Sequence, residues 1–145
     1  MRTKDKQESL VATLRAWQHA ETRSMSQSAA IIEKTRNPAI RMVMEIIQHD
    51  SAMHHQVQQF IIDSLQGRAV SLTQEDLEHV WHAIESHIEA ERKTAELVSA
   101  ARRALAGSRN VAQQVLFSYL ANDEQKHDLL LEDLAGIKRG ESRSA

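Results

Sequence analysis

The sequence predicts an all-α protein, an antiparallel four-helix bundle in up-down-up-down order, and three observations predict it. One Pro and four Gly in 145 residues leave few places for the chain to turn. Apolar residues recur at alternating steps of three and four through four long stretches. Only three short breaks separate those stretches, so neighbouring helices are joined tightly. The bundle is expected over residues 1–137, followed by a polar C-terminal tail at 138–145.

The breaks justify the elements in order. At Arg36-Asn37-Pro38, Asn is a good cap and Pro suits the first turn of a helix. One helix therefore ends there and the next begins. From Gly67 to Thr73 the chain turns again. Gly67 can close a helix, and Thr73 with Asp76 resembles a capping box in which Asp replaces Glu or Gln. The third break is Gly107-Ser108-Arg109-Asn110. These marks predict helices at 5–35, 38–66, 73–106 and 109–136.

Composition excludes several classes of function. A net charge of −2 supplies no positive field, so nucleic acid is not an expected partner. Short basic runs at the start (Arg2, Lys4, Lys6) and end (Lys138, Arg139, Arg143) read as solvated tails. Without cysteine there is no disulfide, thiolate zinc site or iron-sulfur cluster. No stretch approaches about 18 apolar residues, and no apolar run follows the basic start. A soluble, cytoplasmic protein with no membrane partner is expected.

The inward stripes carry the chemistry. The first helix gives Leu10, Leu14, Trp17 and then Glu21; the second gives Ile40, Val43, Ile47, then Asp50 and His54, then Val57 and Ile61. The third gives Leu77, Val80, Ile84, then His87 and Glu91, then Thr94 and Val98. The fourth gives Leu116, Leu120, then Asp123 and His127, then Leu130 and Leu134; shifted by one, it carries Glu124 in place of Asp123. In each helix ionisable groups interrupt an apolar stripe near its middle. Burying one carboxylate alone costs several kcal/mol, and several together also repel one another. With no Lys or Arg on the stripes at this level, neutralisation falls to protons, the histidines or metal ions. Carboxylate oxygen mixed with imidazole nitrogen suits iron, manganese and zinc.

The halves of the chain also repeat. Glu91 in Ala-Glu-Arg-Lys follows Glu21 in Ala-Glu-Thr-Arg by 70 positions. His127 of Asp123-Glu-Gln-Lys-His follows His54 of Asp50-Ser-Ala-Met-His by 73. Two hairpins, each offering Glu and then Asp-x-x-x-His, would present matching ligands to a shared centre, a dinuclear metal site. The candidate metal-binding residues are therefore Glu21, Asp50, His54, His87, Glu91, Asp123, Glu124 and His127. Asp123 is either a ligand or an acceptor supporting a ligating histidine. His19, His49, His55, His79 and His82 lie off the stripes and are expected to face solvent. Trp17 and Trp81 are expected as core or interface aromatics, and Val11, Ile46 and Ile88 as room for a second interface.

With these motifs the chain resembles the ferritin-like superfamily, in particular rubrerythrin-like di-iron domains. Glu21 and Glu91 match the single glutamates of that family's first and third helices, and Glu124-Gln-Lys-His127 matches its Glu-x-x-His motif. The segment Asp50-Ser-Ala-Met-His54 resembles an Asp-Ser-x-x-His variant, with Ser51 where the usual motif has Glu. His87-x-x-x-Glu91 is similar to an element of hemerythrin-like bundles. The family's usual crossover between the second and third helices is long. The seven residues here reach at most about 25 Å, so they run back along the bundle only if the start of the third helix belongs to the connection.

The resemblance implies two metal ions, iron first, with manganese and zinc as alternatives. It also implies ferroxidase, peroxide-reducing or iron-handling chemistry on dioxygen or peroxide, which would make the protein a di-iron oxidoreductase. Without a rubredoxin-like segment, a separate redox partner would donate electrons. The alternative is a non-catalytic bundle, either a hemerythrin-like sensor or a structural assembly. In both readings a homo-oligomer is expected.

Overall fold

The computed structural model describes residues 2–141, and every regular element among them is a helix. The elements are α1 (Thr3–Lys34), α2 (Pro38–Gln66), α3 (Gln74–Glu78), α4 (Trp81–Leu105) and α5 (Val111–Lys138). The chain divides into two units, Met1–Val70 and Ser71–Ala145, each built on a helical hairpin. No helix among the described residues is long and apolar enough to cross a membrane.

In the first unit α1 and α2 pack along one another as an antiparallel hairpin. The turn follows from Asn37, whose side-chain oxygen accepts from the backbone N–H of Ala39 at 2.9 Å and of Ile40 at 3.2 Å. Pro38 at the first helical position has no N–H to leave unpaired. The seam between the helices differs from the stripe read in sequence. Val11, Leu14, Gln18, Glu21 and Ser28 of α1 are buried, with Ser51, Gln58 and Ile62 of α2. Leu10 and Trp17, expected inside, are exposed, as are Val57 and Ile61, whereas Val11, expected off the stripe, is buried. A single neighbouring helix covers a narrow strip, and the apolar face of α1 is wider than that. The strip that is covered holds polar groups which bond across it. The Gln18 amide donates to the His55 carbonyl and to Gln59 Oε1, and the Ser24 and Ser51 hydroxyls meet at 3.0 Å. Among the described residues, Ile62 is the one large side chain that is completely enclosed.

In the second unit α4 and α5 form the hairpin, and the five-residue α3 packs against α5. The helix expected at 73–106 is thus two helices. It starts where predicted: Thr73 N–H donates to Asp76 Oδ2 at 2.9 Å, and Asp76 N–H donates to Thr73 Oγ1 at 3.2 Å. It then breaks at His79-Val80. The Val80 N–H bonds back only to the Leu77 carbonyl, and Val80 adopts φ −119°, ψ 1°, outside the helical region. The break carries Leu77 into the interior, where it is 3% exposed. Between α4 and α5, Ala106 at φ −59°, ψ 127° followed by Gly107 at φ +82° gives the backbone of a type II turn. Its closing bond runs from Ser108 N–H to the Leu105 carbonyl. Asn110 then caps α5 by accepting from Gln113 N–H at 3.0 Å.

The helix α5 extends two residues beyond 136 and ends in a Schellman motif. Gly140 stands at φ +78°, with Glu141 N–H bonded to the Gly136 carbonyl and Gly140 N–H to the Ile137 carbonyl. The expected tail is therefore ordered through Glu141, while residues 142–145, including Arg143, lie outside the described residues.

Candidate metal centre

The second hairpin brings three predicted residues together. Glu91 on α4 and Glu124 and His127 on α5 each place one ligand atom so that all three lie within 4.8 Å of one another. Among the described residues no other group of three does so. Glu124 and His127 sit three apart on one helix, hence on one face, and the antiparallel run of α4 delivers Glu91 to that face. His127 Nδ1 lies 3.8 Å from Glu124 Oε2 and 4.0 Å from Glu91 Oε1.

Two further predicted residues flank this trio. His87, one turn before Glu91, places Nε2 at 3.2 Å from Glu91 Oε1. Asp123 Oδ2 lies 3.6 Å from His127 Nε2. That separation is longer than a hydrogen bond but short enough for attraction when the ring is protonated. His127 therefore turns Nδ1 toward the two glutamates and Nε2 toward Asp123, the arrangement in which an outer carboxylate orients a ligating imidazole.

The electrostatics of the trio are those of acids held too close. Hydrogen bonding with Glu91 pushes the Glu124 carboxyl above its ordinary value of 4.5, and partial burial and repulsion from Glu91 push it further; His127 works against them. Such an acid–acid bond exists only while one partner is protonated. Glu91 Oε2 is buried and has no hydrogen-bond partner. The Glu91 side chain is 12% exposed, Glu124 32% and His127 48%. The cluster thus has an enclosed floor and an open mouth. A buried oxygen lone pair without a donor costs free energy that a proton or a cation removes. The residues present fit a small hard or borderline cation: two carboxylates and an imidazole, with a second imidazole beside them.

The first hairpin holds a smaller version. Glu21 on α1 is 8% exposed, and its Oε1 accepts from the Trp17 indole N–H at 3.1 Å. His54 Nδ1 of α2 lies 3.4 Å from the same oxygen. Asp50 is half-buried on α2 and does not join Glu21 and His54 in a group of three ligand atoms.

The chain matches no family model, and no curated protein or solved structure matches it. The site therefore rests on its own geometry.

Sequence reasoning missed two contributions. Trp17 was expected only as a core or interface aromatic, yet it donates to Glu21; its signal is the four-residue spacing shared with His87 and Glu91. Ser51 binds the Ser24 hydroxyl across the seam, for which the sequence carries no visible mark. Of the off-stripe histidines, His19, His49, His79 and His82 are exposed as expected, while His55 is half-buried.

Proposed function

We propose that the protein binds redox-active transition metal, iron or manganese first, with one ligand set in each hairpin and so two ions per chain. The observation that carries this reading is the buried, unpartnered Glu91 Oε2 beside Glu124 and His127. Glu91, Glu124 and His127 would hold one ion, with His87 as a further donor and Asp123 orienting His127. Glu21 and His54 would supply the other set, with Asp50 the nearest further carboxylate in sequence. The function is of ferritin- or rubrerythrin-like type: iron handling, ferroxidation or peroxide reduction. Bound iron would supply one-electron chemistry toward dioxygen or peroxide, and a separate protein would exchange the electrons.

What the chain itself does is narrower. Glu91 supplies an enclosed carboxylate oxygen, Glu124 a second carboxylate at the open side, and Asp123 aims the His127 ring. Metal analysis of protein purified from iron-supplemented cells tests the reading, with anaerobic reconstitution by Fe(II) as a second arm. Two ions per chain are expected after reconstitution. Less than about half an ion after reconstitution ends the proposal.

A second reading, a non-catalytic homo-oligomer, is favoured by one observation. Trp17, Met53, Val57 and Phe60 are all about half exposed in the first unit, which leaves a broad apolar face uncovered. In that case chelators leave the melting temperature unchanged, and sedimentation shows an assembly whose stability depends on protein concentration.

A further inference from the structure

The two hairpins place corresponding residues in corresponding contacts. Trp17 and His87 each stand one turn before a glutamate, Glu21 buried and Glu91 half-buried, and each reach its Oε1, at 3.1 and 3.2 Å. His54 and His127 each approach that same oxygen with Nδ1 from the following helix, at 3.4 and 4.0 Å. The offsets of 70 and 73 positions seen in the sequence are thus matched by contacts, as in a duplicated helical hairpin.

The duplication is unequal at two places. Three residues before the histidine, the second hairpin has Glu124 and the first has Ser51. Ser51 is 5% exposed and engaged with Ser24, so the first hairpin is sealed where the second offers a carboxylate. One turn before the glutamate, the second hairpin has His87, whose ring nitrogen can donate or ligate. The first has Trp17, whose indole N–H only donates and already occupies Glu21 Oε1.

Resting on the metal-binding reading above, we infer that the two ligand sets are graded: the second hairpin binds its ion tightly and first, the first hairpin weakly and second. Ser51 and Trp17 are the residues that weaken the first set. It offers a cation one carboxylate and one imidazole, and part of that carboxylate is taken. The second offers two carboxylates, one with an unpartnered oxygen, and two imidazoles. For a divalent cation, charge and donor number both favour the second. The weak set is then the one that fills and empties as free metal varies, while the tight set stays loaded.

Titration of the metal-free full-length chain with Co2+ alone, followed by calorimetry, tests this. Two phases are expected, separated by about tenfold or more, since loss of even a supporting partner costs about 10–100-fold in metal affinity. Glu124→Ser gives the second hairpin the residue found in the first and should remove the tight phase. Glu124 is partly exposed, so this change does not disturb a packed interior. Ser51→Glu should raise the weak phase toward the tight one. In a Trp81→Phe background, Trp17 is the remaining indole, and its emission should be quenched in the weak phase. Two ions of equal affinity in the unaltered chain, loss of the weak phase in Glu124→Ser, or quenching in the tight phase each overturn the grading and leave metal binding standing. No Co2+ bound at all overturns both.

Discussion

The indole N–H of Trp17 donates to Oε1 of Glu21 at 3.1 Å, one helical turn along α1, and the carboxylate it holds is almost wholly buried. Trp17 itself is about half exposed, so its ring contributes less packing than its size suggests. Trp17→Phe keeps most of the ring and removes the donor. Hydrogen bonds to charged groups are worth roughly 1.5–3 kcal/mol, and water can reach part of this one, so a loss of about 1 kcal/mol is expected. Urea unfolding followed by circular dichroism at 222 nm measures it. A change no larger than that of an exposed aromatic elsewhere, such as Phe60→Leu, would show that the bond contributes nothing.

Glu91 supports two opposite expectations, one with metal and one without. In metal-free protein Glu91→Gln relieves acid–acid repulsion with Glu124 and supplies a donor, so the melting temperature should hold or rise. With saturating metal the unaltered protein gains about 2.7 kcal/mol at a hundredfold excess over Kd, and Glu91→Gln should gain far less. Thermal melts with and without chelator give both numbers. A variant that melts lower in both conditions indicates a structural acid and no ligand.

The pH dependence of the metal-free protein follows from Glu124. Its carboxyl is raised in the folded state, so folding favours the protonated form. The associated stability is fully present below the ordinary value of 4.5 and is lost as pH rises through the raised value. Metal affinity should increase over the same interval, because the cation takes the proton's place. Urea midpoints against pH, compared with Glu124→Gln, check the sign; a variant curve parallel to the parent's contradicts it.

Asp76 behaves oppositely. Hydrogen bonds from the Thr73 backbone and then the Thr73 hydroxyl hold its carboxyl below the ordinary 3.8. The stability it adds is present above 3.8 and is lost as pH falls through the lowered value. Carboxyl NMR titration should find Asp76 below the other aspartates of exposed helix surfaces, and Thr73→Ala should bring it back toward them.

Asn37 offers a test of the first hairpin's turn that is independent of metal. Its oxygen accepts from two backbone N–H groups, and Asn37→Ala leaves both without it. A loss of about 1 kcal/mol is expected, with Asn37→Ser close to neutral. Equal losses in both variants would mean that the cap oxygen is not what stabilises the turn.

What could be read without coordinates was whatever a helix decides within one turn of itself. Asn37-Pro38, the Thr73–Asp76 box and the Gly107 to Asn110 turn are local hydrogen-bonding devices, and each appears where its residues stand. The pairs His87–Glu91 and Asp123–His127 are neighbours because residues four apart share a face. Tertiary structure decided how each helix is rotated and how far it slides past its partner. Val11 displaced Leu10 and Trp17 from the α1 seam because Gln18 and Glu21 find polar partners on α2 there. The slide of α4 along α5 selected Glu91, Glu124 and His127 as the cluster and left His87 and Asp123 at its flanks. Helical periodicity sets neighbours along one rod, whereas rotation and register depend on volumes and hydrogen bonds supplied by another rod, distant in sequence.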